Sequence, residues 1–249
     1  ARGVVALCDF GATGTSITLA DAGNGFSVIG RAEARSFLAG LPVTKINGVG
    51  PATAERLRAA GIEMIAAARA AGIVVTCDVA AHYLHLCDHD IGFFDAHARL
   101  DPPLRAQRDR DALRAALASG AIDVLCSDHT PVDDDGKQLP FAEAEVGATG
   151  LELLLPLTLK WAQEMRLPLA TALARITADP ARVLGIEQAG RLAAGLPADI
   201  CIFDPAAEVV VSRESLKSQG KNTPFLGIAL PGRVRYTLIG GALAYAAQA

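Results

Sequence analysis

Two stretches decide how this chain is read: Val74-Val75-Thr76-Cys77-Asp78-Val79-Ala80-Ala81-His82 and Ile122-Asp123-Val124-Leu125-Cys126-Ser127-Asp128. Each opens with an apolar run of strand length and ends in a side chain able to hold a metal or move a proton. Between them, residues 105–119 carry Leu113, Ala116 and Leu117 at helical spacing with charges opposite, which predicts an amphipathic helix. The order is strand, polar loop, helix, strand. In α/β barrels the catalytic groups lie just past the carboxyl ends of such strands, so His82 and Asp128 stand where ligands are expected. All five histidines fall between His82 and His129, among Cys77, Asp78, Asp88, Asp90, Asp95, Asp101 and Asp128, which confines imidazole chemistry to this region. A lone His after a strand also has a structural reading, and an Asp there can cap the next helix. Finding both at the same end of neighbouring strands is what points to chemistry. His85, His89 and His97 fall in a polar loop and are weaker candidates, and His129 points away if Asp128 points inward.

The chain of 249 residues is 51% hydrophobic and 20% charged, enough for a sizeable buried core. Its formal charge of −4 disfavours a surface built to neutralise phosphates and favours a small-molecule substrate over nucleic acid. Five cysteines without CxxC spacing read as reduced thiols rather than as a disulfide framework or Cys-rich zinc site. No run is long enough to span a bilayer and the N-terminus lacks the apolar core of a signal peptide, so a cytoplasmic protein without membrane partners is expected.

Four segments are distinguished. Residues 1–24 predict a β-hairpin, strands near 4–8 and 17–19 flanking the turn Asp9-Phe10-Gly11-Ala12-Thr13-Gly14-Thr15-Ser16; this loop resembles the first phosphate loop of actin-like ATPases, including type IV pilus assembly members. Residues 25–62 predict helices at 31–41 and 51–60 joined through Gly48-Val49-Gly50, and the run GFSVIGRAEARSFLAGLPVTKINGVGPATAERLRAAGI resembles the helix-hairpin-helix segment of Y-family translesion DNA polymerases. Residues 63–190 predict a helix at 63–71, the two strands at 74–79 and near 124, and helices at 105–119, 151–164, 169–177 and 180–184. Residues 191–249 turn to strands at 199–203, 209–211 and 234–245, with a turn at Gly240-Gly241, and predict a small β domain.

From residue 63 onward the chain resembles dihydroorotase, of the amidohydrolase superfamily. The runs that carry the resemblance, in order, are VTCDVAAHYLHL, LDPPLRAQRDRDALRAALASGAIDVLCSDHTPVDDD, PFAEAEVGATGLELLLPL, GRLAAGLPADICIFDP and SQGKNTPFLG. The resemblance implies an α/β fold: the late strands of a partial (β/α) TIM-type barrel with a small C-terminal β domain. It implies a zinc cyclic amidohydrolase of pyrimidine biosynthesis that reversibly hydrolyses dihydroorotate to carbamoyl aspartate. His82 is then a zinc ligand, Asp128 both ligand and catalytic proton shuttle, and Asp101, Val146 and Gly147 substrate contacts. Tyr83 replaces a second His often found beside the ligand, Asp101 an Asn, and Val132 a His that binds the substrate carboxylate.

No His-x-His pair precedes His82. The family's first-strand ligands are therefore absent, and the zinc site is expected to be incomplete. The alternative reading is a noncatalytic dihydroorotase-like structural partner of aspartate transcarbamoylase, or an inactive composite fragment. With early barrel strands unaccounted for, the strand at 74–79 is expected at an open edge that the hairpin at 4–19 could cover with one or two strands but not complete, which favours self-association.

Overall fold

The structure, a computed structural model, describes the backbone of residues 4–9, 16–21, 25–29 and 51–247 and the side chains of residues 61–247. The hairpin turn at 10–15, the helix expected at 31–41 and the Gly48-Val49-Gly50 turn lie outside the described residues. Strands β1 (Val4–Asp9) and β2 (Ser16–Asp21) form the expected antiparallel hairpin, in register from Val4↔Asp21 to Asp9↔Ser16. A third strand, β3 (Gly25–Ile29), pairs with β2 and was not anticipated by the helical reading of 25–62. Its sequence GFSVI places aromatic and β-branched residues in the first positions after the hairpin, which suit a pleated surface.

The chain then enters α1 (Pro51–Ala70), one continuous helix where the sequence suggested two. Proline at the first helical position suits the start. Gly61 inside it costs only about 1 kcal/mol relative to alanine, and buried Ile65 gives the second half of the helix an anchor in the core.

Strand β4 (Val75–Ala80) follows, and it is not an open edge: the N-terminal hairpin supplies the cover. On one side β1 pairs with it in parallel, Ala6↔Val75, Leu7↔Thr76 and Cys8↔Cys77. On the other side lies β5 (Val124–Cys126), also parallel, with Asp78↔Val124, Val79↔Leu125 and Ala80↔Cys126. The sheet order is β3-β2-β1-β4-β5.

A single-turn 3-10 helix (Ala81–Leu84) ends β4, and helix α2 (Gln107–Ser119) returns the chain to β5. α2 ends at Gly120, whose φ of 82° is the left-handed conformation that lets the chain turn at once toward β5.

The lower ends of β4 and β5 are tied by Arg69 at the end of α1. Its guanidinium donates to the carbonyls of Val75 (3.1 Å) and Ala121 (3.0 Å) and pairs with Asp123. Asp123 accepts the Cys77 amide at 2.9 Å while its own amide donates to the Cys77 carbonyl at 3.0 Å.

Helices α3 (Leu154–Met165), α4 (Leu169–Ala174) and α5 (Ala178–Val183) follow, the first entered through a 3-10 turn at Leu151–Leu153. One core joins Leu117, Ile122 and Leu125 to Leu157 and Trp161 of α3. The last strands, β6 (Ile200–Val210), β7 (Ala229–Ile239) and β8 (Ala242–Ala246), form a separate antiparallel sheet. Val211, Leu216, Phe225 and Leu230 nonetheless belong to the same core. The sheet also exposes Ile202, Val210, Tyr236, Ile239 and Leu243. Among the described residues no helix is long and apolar enough to cross a membrane.

Trp161 has no exposed surface, whereas the side chain of Phe93 is fully exposed. Trp161→Ala is expected to cost about 3–5 kcal/mol and Phe93→Ala to change stability by no more than about 0.5 kcal/mol. Urea unfolding followed by circular dichroism measures both, and equal losses would contradict this placement of the core.

Candidate functional site

The register of β4 and β5 places the two candidate residues opposite each other. The last paired residues are Ala80 and Cys126, and His82 and Asp128 each lie two positions beyond their strand's last pair. His82 sits in the 3-10 turn, buried, with Nε2 3.7 Å from Oδ2 of Asp128. That separation is beyond a hydrogen bond, and His82 Nε2 has no hydrogen-bond partner among the described residues. Asp128 is half-exposed and has φ 46°, a left-handed conformation that Asp tolerates better than most residues. The structure thus brings a buried, orphaned imidazole nitrogen and a solvent-facing carboxylate to one point.

Burial holds both nearby imidazoles neutral. His82 is pulled down to about 3, first by desolvation and then by repulsion from His85. His85 is pulled down to about 4 by desolvation, opposed by its hydrogen bond to a carbonyl. Its Nε2 lies 2.9 Å from the Leu157 oxygen, so Nε2 carries the proton in the neutral form. The ring packs edge-on near Phe225. His129 is engaged elsewhere: its Nδ1 accepts the amides of Gly150 and Leu151, each at 3.2 Å. His89 is exposed. Cys126 donates its thiol proton to Asp78 at 3.2 Å, and burial together with the Asp78 and Asp128 charges pushes that thiol well up.

The residues expected to meet a substrate occupy two loops. Asp101 is exposed, in a loop whose next residue, Pro102, offers its carbonyl to the Tyr83 hydroxyl. Tyr83 therefore holds this loop against the end of β4. Val146 is exposed and Gly147 buried. Gly147 has φ 122°, and a side chain there would meet Thr130 at 2.5 Å, so the position requires glycine. Its amide donates to the Arg99 carbonyl at 3.0 Å and its carbonyl accepts from Asn222 at 3.1 Å.

Two residues that the sequence did not single out hold these loops. Asn222, buried, accepts through Oδ1 from the Val132 amide (2.9 Å) and the Thr149 hydroxyl (3.1 Å), and donates through Nδ2 to the carbonyls of Thr130 and Gly147 (both 3.1 Å). Lys137, also buried, donates to the carbonyls of Ala96 (3.0 Å), Arg99 (3.3 Å) and Glu145 (2.6 Å). Their sequence signal was the SQGKNTPFLG run for Asn222 and the lone Lys after three Asp for Lys137. Val132 is itself buried.

The Amidohydrolase family profile matches residues 49–244. The chain belongs to the amidohydrolase family. The same comparison matches the IMS family HHH motif to residues 31–62, in keeping with the polymerase-like hairpin read there. This amidohydrolase chain is 42% identical over 214 residues to a dihydroorotase-like protein of Pseudomonas aeruginosa, covering 86% of the chain and 50% of that relative. To a dihydroorotase of Geobacter sp. it is 41% identical over 180 residues, 72% of the chain and 42% of the relative. Among solved structures, an L-hydantoinase (dihydropyrimidinase) from Arthrobacter aurescens superposes with a TM-score of 0.70 at 29% identity, over 75% of this chain and 42% of that one. A dihydropyrimidinase from Brevibacillus agri gives 0.68 at 26% identity, over 74% and 42%. The chain spans about half the length of the curated relatives it matches.

The depressed His85 sets a pH dependence of stability. Its folded pKa, about 4, lies below the ordinary 6.5, so the unfolded chain binds the proton more readily. The stability associated with the neutral form is complete above pH 6.5 and is lost as pH falls toward 4. His85→Gln keeps a donor toward Leu157 and removes this titration. Urea unfolding at pH 7 and pH 5 should show a smaller drop for the variant than for the parent; equal drops would remove His85 from the account.

Proposed function

We propose that this chain carries the proton-transfer limb and one metal-binding limb of a dihydroorotase-type zinc amidohydrolase, acting reversibly between dihydroorotate and carbamoyl aspartate in pyrimidine biosynthesis. The observation that carries the reading is the buried His82 Nε2, without a hydrogen bond, 3.7 Å from the Asp128 carboxylate. Ligands of one tetrahedral zinc stand roughly 3.3 Å apart when they are nitrogen and oxygen, so the pair fits a shared ion with little movement. His82 is already in the neutral form such an ion requires. A bound zinc lowers the pKa of water and polarises a carbonyl.

The chain's own residues supply the rest. Asp128, facing solvent, takes a proton from the attacking water and delivers it to the ring nitrogen as the amide C–N bond breaks. Asp101 accepts a hydrogen bond from a ring N–H. Val146 offers its backbone, and Gly147 the remaining lone pair of its carbonyl. Buried Val132 offers no charge to the substrate carboxylate, so binding rests on the other contacts.

Asp128→Asn keeps the shape of the side chain and removes its basicity. Ring opening of dihydroorotate with added zinc, followed by ultraviolet absorbance, is expected to slow on the order of a hundredfold or more. Equal rates in parent and variant, both folded by circular dichroism, would overturn the assignment of Asp128.

A second reading is favoured by the exposed apolar residues of the β6-β7-β8 sheet, Ile202, Val210, Tyr236, Ile239 and Leu243. On it the chain works as a structural subunit, associating with itself or with aspartate transcarbamoylase. Of these apolar residues, Ile202, Tyr236 and Leu243 share one face through the pairings Ile202↔Tyr236 and Leu238↔Leu243, which suits an interface core. Light scattering is expected to give a mass above that of the 25.8 kDa chain; a stable monomer at high micromolar concentration would count against self-association.

A further inference from the structure

Beyond the His82 and Asp128 pair, the loop that follows brings a second set of donors together. Cys87, Asp88 and His89 present Sγ, a carboxylate oxygen and Nδ1 within 4.8 Å of one another. The Cys87 sulfur is 3.9 Å from His89 Nδ1, and that nitrogen is 3.3 Å from Asp88 Oδ1. We propose that Cys87, Asp88 and His89 form a separate, solvent-accessible site for a zinc-like divalent cation.

The distances support it. Around a tetrahedral zinc with Zn–S of roughly 2.3 Å and Zn–N or Zn–O of roughly 2.0 Å, neighbouring ligand atoms stand about 3.3–3.6 Å apart. The nitrogen–oxygen distance already matches, the sulfur–nitrogen distance needs a few tenths of an ångström, and the sulfur–oxygen distance, within 4.8 Å, closes with rotation of the exposed Asp88 and His89 side chains. One sulfur, one imidazole nitrogen and one carboxylate oxygen suit zinc, or the same site loaded with cobalt, over calcium or magnesium, which prefer all-oxygen shells. The fourth position is open to water.

The loop is fixed before any ion arrives. The Cys87 amide donates to Asp90 Oδ2 at 2.7 Å and the Asp88 amide to the Arg105 carbonyl at 2.8 Å. The Asp90 amide donates to the Cys87 carbonyl at 3.0 Å, closing the 3-10 turn Asp88–Ile91. Asp88 Oδ1 also accepts the His89 amide at 3.0 Å, which orients the carboxylate toward the imidazole. The side chains of Asp88 and His89 are 49% and 83% exposed, so an ion reaches the set directly from solvent, with the buried Cys87 as its floor. On binding, the Cys87 thiol releases its proton to solvent as the sulfur–metal bond forms, and His89 binds through Nδ1 with its proton on Nε2.

Titration of the full chain with Co²⁺ tests this, because a thiolate ligand gives cobalt a sulfur-to-metal charge-transfer band that carboxylates and imidazoles do not. One equivalent is expected to produce the band and Zn²⁺ to abolish it by displacement. Cys87→Ser should remove it, and His89→Ala should weaken binding at least about tenfold. His82→Ala and Asp128→Asn should leave it unchanged. Absence of the band, its survival in Cys87→Ser with the fold intact by circular dichroism, or its loss in His82→Ala would each overturn the proposal, the second by assigning the ion to another thiol and the third to the His82 site. Failure here leaves the dihydroorotate assay of Asp128 untouched.

Discussion

The parallel register of β4 against β5 is the constraint on which the candidate site depends. A slip of one residue would turn alternate side chains to the opposite face and would separate His82 from Asp128 along the strand direction by about 3.3 Å. Ladder hydrogen bonds over three residue pairs do not by themselves exclude such a slip. The Arg69–Asp123–Cys77 knot does, because one carboxylate answers both a guanidinium on α1 and an amide on β4 while standing at the foot of β5. Breaking one partner would leave a part-buried charge uncompensated, which costs more than the knot contributes as a net interaction. The lower end of the sheet thereby sets the geometry of the upper end.

At the upper end the same function passes to hydrogen bonds made without any carboxylate. Asn222 uses both lone pairs of its amide oxygen and both of its N–H groups, so replacing it with an apolar residue would leave several buried backbone groups without partners. Lys137 spends its ammonium on three carbonyls of neighbouring loops, where a carboxylate partner would have been the usual compensation for burial. Both residues converge on the segment holding Val146 and Gly147. The segment is a loop, yet its position is over-determined, which is what the recognition proposed for its backbone requires.

Much of this was legible in the sequence because it is local. Apolar runs of strand length announced β4 and β5, helical spacing announced α2, and the hairpin at β1 and β2 followed from two short β-like runs around a glycine-rich turn. His82 and Asp128 stood out as candidates because each closely follows its run. What was not legible depends on partners distant in sequence. The parallel pairing of β1 with β4 joins residues nearly 70 positions apart and leaves no periodic trace in either strand. β3 was hidden inside a run read as the lead-in to a helical hairpin, and the break expected at Gly61 did not form because Ile65 anchors the helix beyond it. Asn222 and Lys137 could be recognised as staples only once the carbonyls they meet had been brought together.

The site itself is costly to maintain, and that cost argues for its purpose. A buried polar atom left without a hydrogen bond costs about 1–3 kcal/mol, which is the position of His82 Nε2. A non-glycine residue held in a left-handed conformation adds about 1–3 kcal/mol, which is the position of Asp128. If these residues served packing alone, a leucine in place of His82 and a glycine in place of Asp128 would relieve both. Instead the two costs fall on neighbouring residues at the carboxyl ends of paired strands, with the unpartnered His82 nitrogen 3.7 Å from the Asp128 carboxylate. Single conflicts of either kind occur elsewhere in the chain, as at Trp161 Nε1 and Phe94, but at His82 and Asp128 one of each kind meets across 3.7 Å, the pattern expected where a chain is shaped for something other than its own stability.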